Sequence, residues 1–140
     1  MASYEEFDRI QLTINVDGQA TAGTADEFLG AVAPVRGRVI AVEWVPKAAV
    51  TANGSNYFTL NVRNRTTGAG NVNIAARSYV ATNSVAFTKE TSGVTANFAL
   101  NVTPANLIVA KGDTLTVEKV NTGTGLAMPA GTVVIWIAPN

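Results

Sequence analysis

Any chemistry in this chain of 140 residues would have to come from carboxylates, lysines and hydroxyls, because the sequence contains no histidine and no cysteine. Imidazole and thiolate are the side chains that most often act near neutral pH as bases, nucleophiles and metal ligands. The remaining candidates are two glutamates in predicted strands, Glu43 and Glu118, and one aspartate in a predicted turn, Asp113.

These three carboxylates have simpler interpretations than catalysis. Asp113 stands in a Gly-Asp-Thr-Leu turn, where an aspartate usually accepts hydrogen bonds from nearby backbone N–H groups. Glycoside hydrolysis needs two carboxylates held about 5–10 Å apart across a cleft. Nothing in the sequence places Glu43 and Glu118 in that way, and we interpret both as ordinary outward residues. We therefore expect no enzyme activity, no cofactor and no metal, since the Asp-x-Asp-x-Asp spacing of calcium loops is also missing.

Four aromatic residues could instead form a platform on which a sugar stacks, namely Trp44, Trp136, Tyr57 and Tyr79. Aromatic residues at strand spacing more often fill a core or an interface, and we favour that interpretation. The predicted strands at 38–46 and 132–138 are apolar on both faces. A small sandwich has one inner face per sheet, so an additional apolar face has to be covered by another layer or another subunit.

The charge of the chain is balanced, with ten basic and ten acidic residues. The longest basic clusters, 36–38 and 63–65, are expected at solvated strand ends, and neither supplies the positive surface that nucleic-acid binding needs. Residues 1–8 are acidic and polar and lack the basic and apolar regions of a signal peptide. No apolar run approaches the roughly 20 residues of a spanning helix. We therefore expect synthesis in the cytoplasm, with neither nucleic-acid nor membrane binding.

Strand signals recur about every ten residues, with turn chemistry between them. Alternating apolar residues predict strands at 9–16, 38–46, 56–64, 71–80, 85–88, 96–100, 107–110, 114–120 and 132–138. Residues 19–37 could form a short helix behind a capping box at 24–27, but Gly30 and Pro34 favour an extended segment. This pattern predicts an all-β antiparallel sandwich or jelly roll of eight to nine short strands, formed by residues 9–140 behind an N-terminal arm of residues 1–8.

The alternation also predicts which side chains share a face. In the strand at 38–46, Ile40, Val42 and Trp44 should point one way, and Val39, Ala41, Glu43 and Val45 the other. In the strand at 71–80, Val72, Ile74 and Ala76 should share a face. In the strand at 114–120, Leu115 and Val117 should point inward, with Thr116 and Glu118 outward.

Four segments carry a resemblance to a known family. They are residues 107–117 (LIVAKGDTLTV), 123–133 (GTGLAMPAGTV), 37–46 (GRVIAVEWVP) and 58–64 (FTLNVRN). Together they resemble the small capsid-decoration, or head cement, proteins of tailed bacteriophages. The resemblance implies a non-enzymatic virion protein that binds the major capsid protein on the outside of the head, usually as a homotrimer, and clamps the shell.

The resemblance also suggests where contacts with a partner would lie. An N-terminal arm that reaches over a neighbouring subunit would use Tyr4 and Phe7 as anchors, although the arm could equally be an ordinary frayed terminus. The candidate interface residues are Tyr4, Phe7, Trp44, Tyr57, Val134 and Trp136. The alternative function is a glycan- or receptor-binding module of a phage fibre or tail, in which Trp44 and Tyr57 would contact the ligand.

Overall fold

The computed structural model describes residues 8–66, 72–80 and 96–140, which form two five-stranded antiparallel sheets. The strands are β1 (Ile10–Val16), β2 (Asp26–Val32), β3 (Gly37–Pro46), β4 (Tyr57–Asn64), β5 (Val72–Ser78), β6 (Ala96–Asn97), β7 (Ala99–Leu100), β8 (Ile108–Val109), β9 (Thr114–Thr122) and β10 (Gly131–Pro139). Sheet A has the order β1-β10-β3-β6, with β8 also paired to β3, and sheet B has the order β2-β9-β4-β5-β7. The predicted all-β sandwich is confirmed.

The core lies between the two sheets and follows from the alternation of each strand. On β4 the inward residues Phe58, Leu60 and Val62 are fully buried, while the residues between them are half-buried on the outer face. On β9 and β10 the same pattern buries Leu115, Val117, Val133, Ile135 and Ile137. Inner side chains from both sheets belong to one hydrophobic cluster. Burial of such side chains is the main favourable contribution to folding.

The segment after β1 is extended, as predicted, and forms β2 at the edge of sheet B. The capping-box alternative is wrong, because Asp26 and Glu27 begin this strand and not a helix. Gly30 is required by a close approach between the two sheets. A Cβ atom at this position would lie 2.7 Å from Ile14 Cγ2 on β1, so a larger residue would push the strands apart.

A β-bulge at Ile40 changes the predicted faces of β3. The register shifts there, since Ala41 pairs with Trp136 and Val39 pairs with Ile137, which leaves Ile40 as the extra residue. Val39 therefore points into the core and is fully buried. Strict alternation predicted that it would lie on the face opposite to Val42 and Trp44. The same shift places Arg38 on the outer face of sheet A, together with Ala41 and Glu43.

A second register shift alters the face predicted for β5. The pairing between β4 and β5 shifts between Val62 and Arg63, so the simple alternation of Val72, Ile74 and Ala76 is wrong. The structure buries Ile74 and its neighbour Ala75, while Ala76 is half-buried.

The predicted strand at 96–100 is shared between the two sheets. Its first part, β6, pairs with β3 of sheet A, and its second part, β7, pairs with β5 of sheet B. Between them the Phe98 N–H donates to the Val42 carbonyl at 2.8 Å, and the Phe98 side chain is buried. The segment thus joins the sheets at the edge opposite to β1 and β2. The predicted strand at 85–88 lies outside the described residues.

Candidate interaction surfaces

The carboxylates singled out in the sequence do not form a pair. Glu43 pairs with Val134 on the outer face of sheet A, whereas Glu118 pairs with Asn61 on the outer face of sheet B. The two glutamates therefore lie on opposite sides of the sandwich and share no cleft. In the parts of the chain that the structure describes, no group of three or more acidic side chains is arranged to hold a metal ion.

Asp113 caps a turn, as the sequence predicts. The Ala110 N–H and the Asn64 side-chain amide both donate to Asp113 Oδ2 at 2.8 Å. Burial disfavours the carboxylate, but these hydrogen bonds and one from Thr66 outweigh it and hold the pKa of Asp113 below its ordinary value. The side chain is an ionised acceptor that fixes the connection between β8 and β9.

The aromatic residues do not assemble into a platform. Trp44 is 0% exposed, and its indole N–H donates to the Tyr79 hydroxyl at 2.8 Å inside the core. The two rings meet edge to face, with centroids 6.3 Å apart. Because both residues are buried, neither can stack on a sugar. Trp44 is therefore wrong as an interface candidate, since no partner can reach it in the folded domain.

The other interface candidates are divided between surfaces. Tyr57 begins β4 and is half-buried on the outer face of sheet B. Val134 and Trp136 are half-buried on the outer face of sheet A. Tyr4 and Phe7 lie outside the described residues. Of the four candidates that the structure describes, it brings together Val134 and Trp136.

The outer face of sheet B carries a network of four charges, which we call the ion-pair network. The Arg65 guanidinium donates to Glu27 at 2.5 Å and to Glu118 at 3.0 Å, and Arg63 donates to Glu118 at 3.0 Å. The Thr116 hydroxyl also donates to Glu27, at 2.6 Å. Glu118 does point outward, as predicted, but it is ion-paired with Arg63 and Arg65, so the interpretation of these three as ordinary solvated residues is wrong.

Arg65 offsets the repulsion between two glutamates, which the strand register makes neighbours. Glu27 of β2 and Glu118 of β9 are direct cross-strand neighbours, an arrangement that is unfavourable for two like charges. The hydrogen bonds from Arg65 are the largest influence on Glu27 and hold its pKa below the ordinary value. No sequence signal could have revealed this network. Its members lie on β2, on β9, and on β4 and the residue after it, and these strands are far apart in the sequence.

Lys119 is a buried cation that the sequence also did not reveal. It is 1% exposed on the inner side of β9, and its ammonium donates to Gln19 Oε1 at 2.9 Å and to the Leu126 carbonyl at 3.3 Å. Gln19 in turn donates to the Asp26 carboxylate at 3.3 Å, which links the two charges through an amide. Burial lowers the pKa of Lys119. Its contacts hold the loops after β1 and β9 together, which is a structural role.

The outer face of sheet A, which we call the sheet A face, is far less charged. Cross-strand neighbours on it form three rows, which are Gln11–Trp136–Ala41, Thr13–Val134–Glu43–Asn97 and Asn15–Thr132–Val45. A fourth row at one end consists of Ala138, Arg38 and Ile108. Arg38 and Glu43 are the charged residues in these rows, and neither forms a salt bridge or side-chain hydrogen bond within the described ranges.

Comparisons with known proteins show a likeness of fold. No family model and no curated protein matches the sequence. A chain in the solved structure described as "Cyanophage Pam1 capsid asymmetric unit" is similar over 95% of this chain and 86% of that chain, with a TM-score of 0.55 and 18% sequence identity. The likeness shows that the two chains share a fold. No helix in the described parts of the chain is long and apolar enough to cross a membrane.

Proposed function

We propose that this chain is a non-enzymatic structural protein of a phage virion, which binds the major capsid protein on the outer surface of the head and stabilises the shell. The observation that carries this proposal is the fold shared with a chain of a phage capsid asymmetric unit over 95% of the present chain. A capsid origin for that fold agrees with the resemblance of the sequence to capsid-decoration proteins.

The surface chemistry supports a role in contacts between proteins. The carboxylates Asp113, Glu27 and Glu118 are engaged in hydrogen bonds that stabilise the fold, and no reactive pair is left among the described residues of either sheet. The sheet A face instead exposes part of Trp136 and Val134 beside uncharged polar residues. An apolar strip with a polar surround is the usual composition of a protein contact.

The proposed assembly is a homotrimer on the capsid surface. Each copy makes modest contacts, and several contacts acting together bind far more tightly than one, because the later ones form at a high effective concentration. We include the N-terminal arm in this proposal, with Tyr4 and Phe7 as anchors on a neighbouring subunit. Val134 and Trp136 supply contact area on the folded domain.

The proposal is tested by comparing phage heads assembled with and without the protein. Heads that lack it should release their DNA at a lower temperature, because fewer contacts oppose the internal pressure. Adding the purified protein back should restore the original threshold. Equal rupture temperatures for the two kinds of head, with the protein shown to be present on one of them, would contradict a stabilising role.

A further inference from the structure

We propose that the sheet A face is a two-fold contact between two copies of this chain, in which Arg38 of each copy pairs with Glu43 of the other around a centre formed by Trp136. This inference goes beyond the capsid role and does not depend on it. The dimer forms between free copies in solution, and it has to separate before Val134 and Trp136 can contact a neighbour in the proposed trimer. Its starting point is that the two charges on this face have no partner in the described part of their own chain.

The β-bulge in β3 is what places the two charges on one face. Strict alternation would put Arg38 and Glu43 on opposite sides of the sheet, because side chains five positions apart point in opposite directions. The extra residue at Ile40 reverses the alternation, so Arg38 pairs with Ala138 and Glu43 pairs with Val134 on the same outer face. At the rise of a β-strand, the two residues are about 15 Å apart along β3.

An apolar strip fills the space between the two charges. Trp136 and Ala41 form the row that lies between Arg38 and Glu43, and Ile40 is half-buried beside them. Ile108, the other neighbour of Arg38, is 37% exposed. Tryptophan and arginine are enriched among the residues that contribute most to the binding energy of protein contacts.

The charges on sheet B, in contrast, are paired within the chain. There, Glu27 and Glu118 are each met by an arginine of the same chain. On the sheet A face, Glu43 is half-buried beside apolar side chains and no cation from the described residues meets it. Covering this face with an uncharged surface would bury an unpaired carboxylate, which costs several kcal/mol. Any surface that covers this face would therefore have to bring a cation to Glu43.

A second copy of the chain supplies that cation by symmetry. In a two-fold contact, if one residue touches another across the interface, the reverse contact also forms. An axis midway between Arg38 and Glu43, about 7 Å from each along β3, sets Arg38 of each copy against Glu43 of the other. The same axis passes close to the row of Trp136, so the two indoles pack at the centre. Arginine and carboxylate groups can then form bidentate pairs.

The available area predicts a weak dimer. The three long strands β1, β10 and β3 have seven, nine and ten residues, and β6 and β8 add two residues each. At the usual strand spacing they cover about 450 Å² per copy, or about 900 Å² for the pair. Specific stable interfaces begin near about 1,000–1,200 Å², so this contact lies just below that limit. We expect a dimer that dissociates on dilution in the micromolar range.

Sedimentation equilibrium over a concentration series tests the inference. The wild-type chain should approach twice its 14.6 kDa mass as the concentration rises. Glu43→Arg and Arg38→Glu should each weaken dimerisation at least tenfold, because each variant sets like charges against each other. An equimolar mixture of the two variants should form a heterodimer, since every pair is then complementary. The double variant, carrying both changes, should dimerise like the wild type.

Controls separate a specific contact from a general effect of charge. Lys111→Glu changes an exposed turn outside the sheet A face and should leave dimerisation unchanged. If either charge reversal fails to fold by circular dichroism, the neutral variants Glu43→Gln and Arg38→Gln replace it and should weaken the dimer less strongly. A monomeric wild type at all concentrations overturns the inference, as does a mixture that does not recover the dimer.

The result is also distinguishable from the proposed capsid function. A trimer whose mass neither charge reversal alters would overturn the two-fold contact and leave the trimer proposal standing. Monomers that bind heads only when Arg38 and Glu43 are intact would show that the shell covers this face, which also overturns the inference. Dimers that never bind heads would support the contact and contradict the capsid role.

Discussion

At the scale of single residues, the Trp44–Tyr79 pair shows why a buried polar group needs a hydrogen-bond partner. The indole N–H of Trp44 has the Tyr79 hydroxyl as its acceptor in a region that water does not reach. A buried donor without an acceptor costs more than the hydrogen bond itself contributes, because its desolvation is no longer compensated.

Removal of the Tyr79 hydroxyl should therefore be costly. We expect Tyr79→Phe to lower the free energy of unfolding by about 1–3 kcal/mol, because the Trp44 N–H loses its acceptor while the ring still fills its space. Urea denaturation measures this change. The matched control is Tyr57→Phe on the partly exposed outer face, which should change stability by less than about 0.5 kcal/mol. Equal effects of the two variants would show that the buried hydrogen bond does not stabilise the core.

Asp113 should make stability depend on acid pH. Its pKa is lowered in the folded state, so its contribution is complete above the unfolded pKa of about 3.9 and is lost as the pH falls through the folded value. We expect Asp113→Asn to cost about 1–2 kcal/mol at pH 7, because a neutral oxygen replaces a charged acceptor. Denaturation between pH 7 and pH 3 should show this difference shrinking below about pH 4. A difference that stays constant over that range would contradict the proposed ionised cap.

Residue roles could be predicted where the chemistry is local. The capping role of Asp113 follows from its place in a tight turn, and the structure confirms it. The role of Trp44 could not be predicted, because both faces of its strand are apolar and the sequence does not say which one is inside. Arg65 follows β4 and Glu27 lies on β2, and they contact each other because both strands pair with β9.

At the scale of elements, the strands could be predicted and their irregularities could not. The alternation of β1, β4 and β10 is regular, and each of these strands lies within about one residue of its predicted bounds. The bulge at Ile40 has no signal in the sequence, because Val39, Ile40 and Ala41 are all suited to either face. Its consequence is large, since it determines that Arg38 and Glu43 share a surface.

The segment that joins the two sheets should be essential to the fold. Phe98 occupies the point where the chain passes from β6 to β7, and its side chain is only 6% exposed. We expect Phe98→Ala to lower the free energy of unfolding by about 3–5 kcal/mol, because it leaves a cavity between the sheets. Val102→Ala is the control, since Val102 is 95% exposed and should tolerate the change within about 0.5 kcal/mol. Similar losses for both would contradict this role of Phe98.

At the scale of the whole molecule, the two outer faces have different chemistry. The sheet B face satisfies its charges internally through the ion-pair network, whereas the sheet A face presents Trp136 and Val134 with two charges that find no partner in the described part of the chain. The sequence predicted that an additional apolar face would need covering. It could not distinguish the two faces, because that difference depends on strand register.

Direct binding to heads is the simplest test of the proposed role as a structural protein of a phage virion. Purified protein is mixed with heads that lack it, the heads are pelleted, and bound protein is measured against the major capsid protein. We predict saturable binding at a fixed ratio of copies to capsid subunits. Folded protein that stays in the supernatant at every concentration, with intact heads in the pellet, would contradict this role.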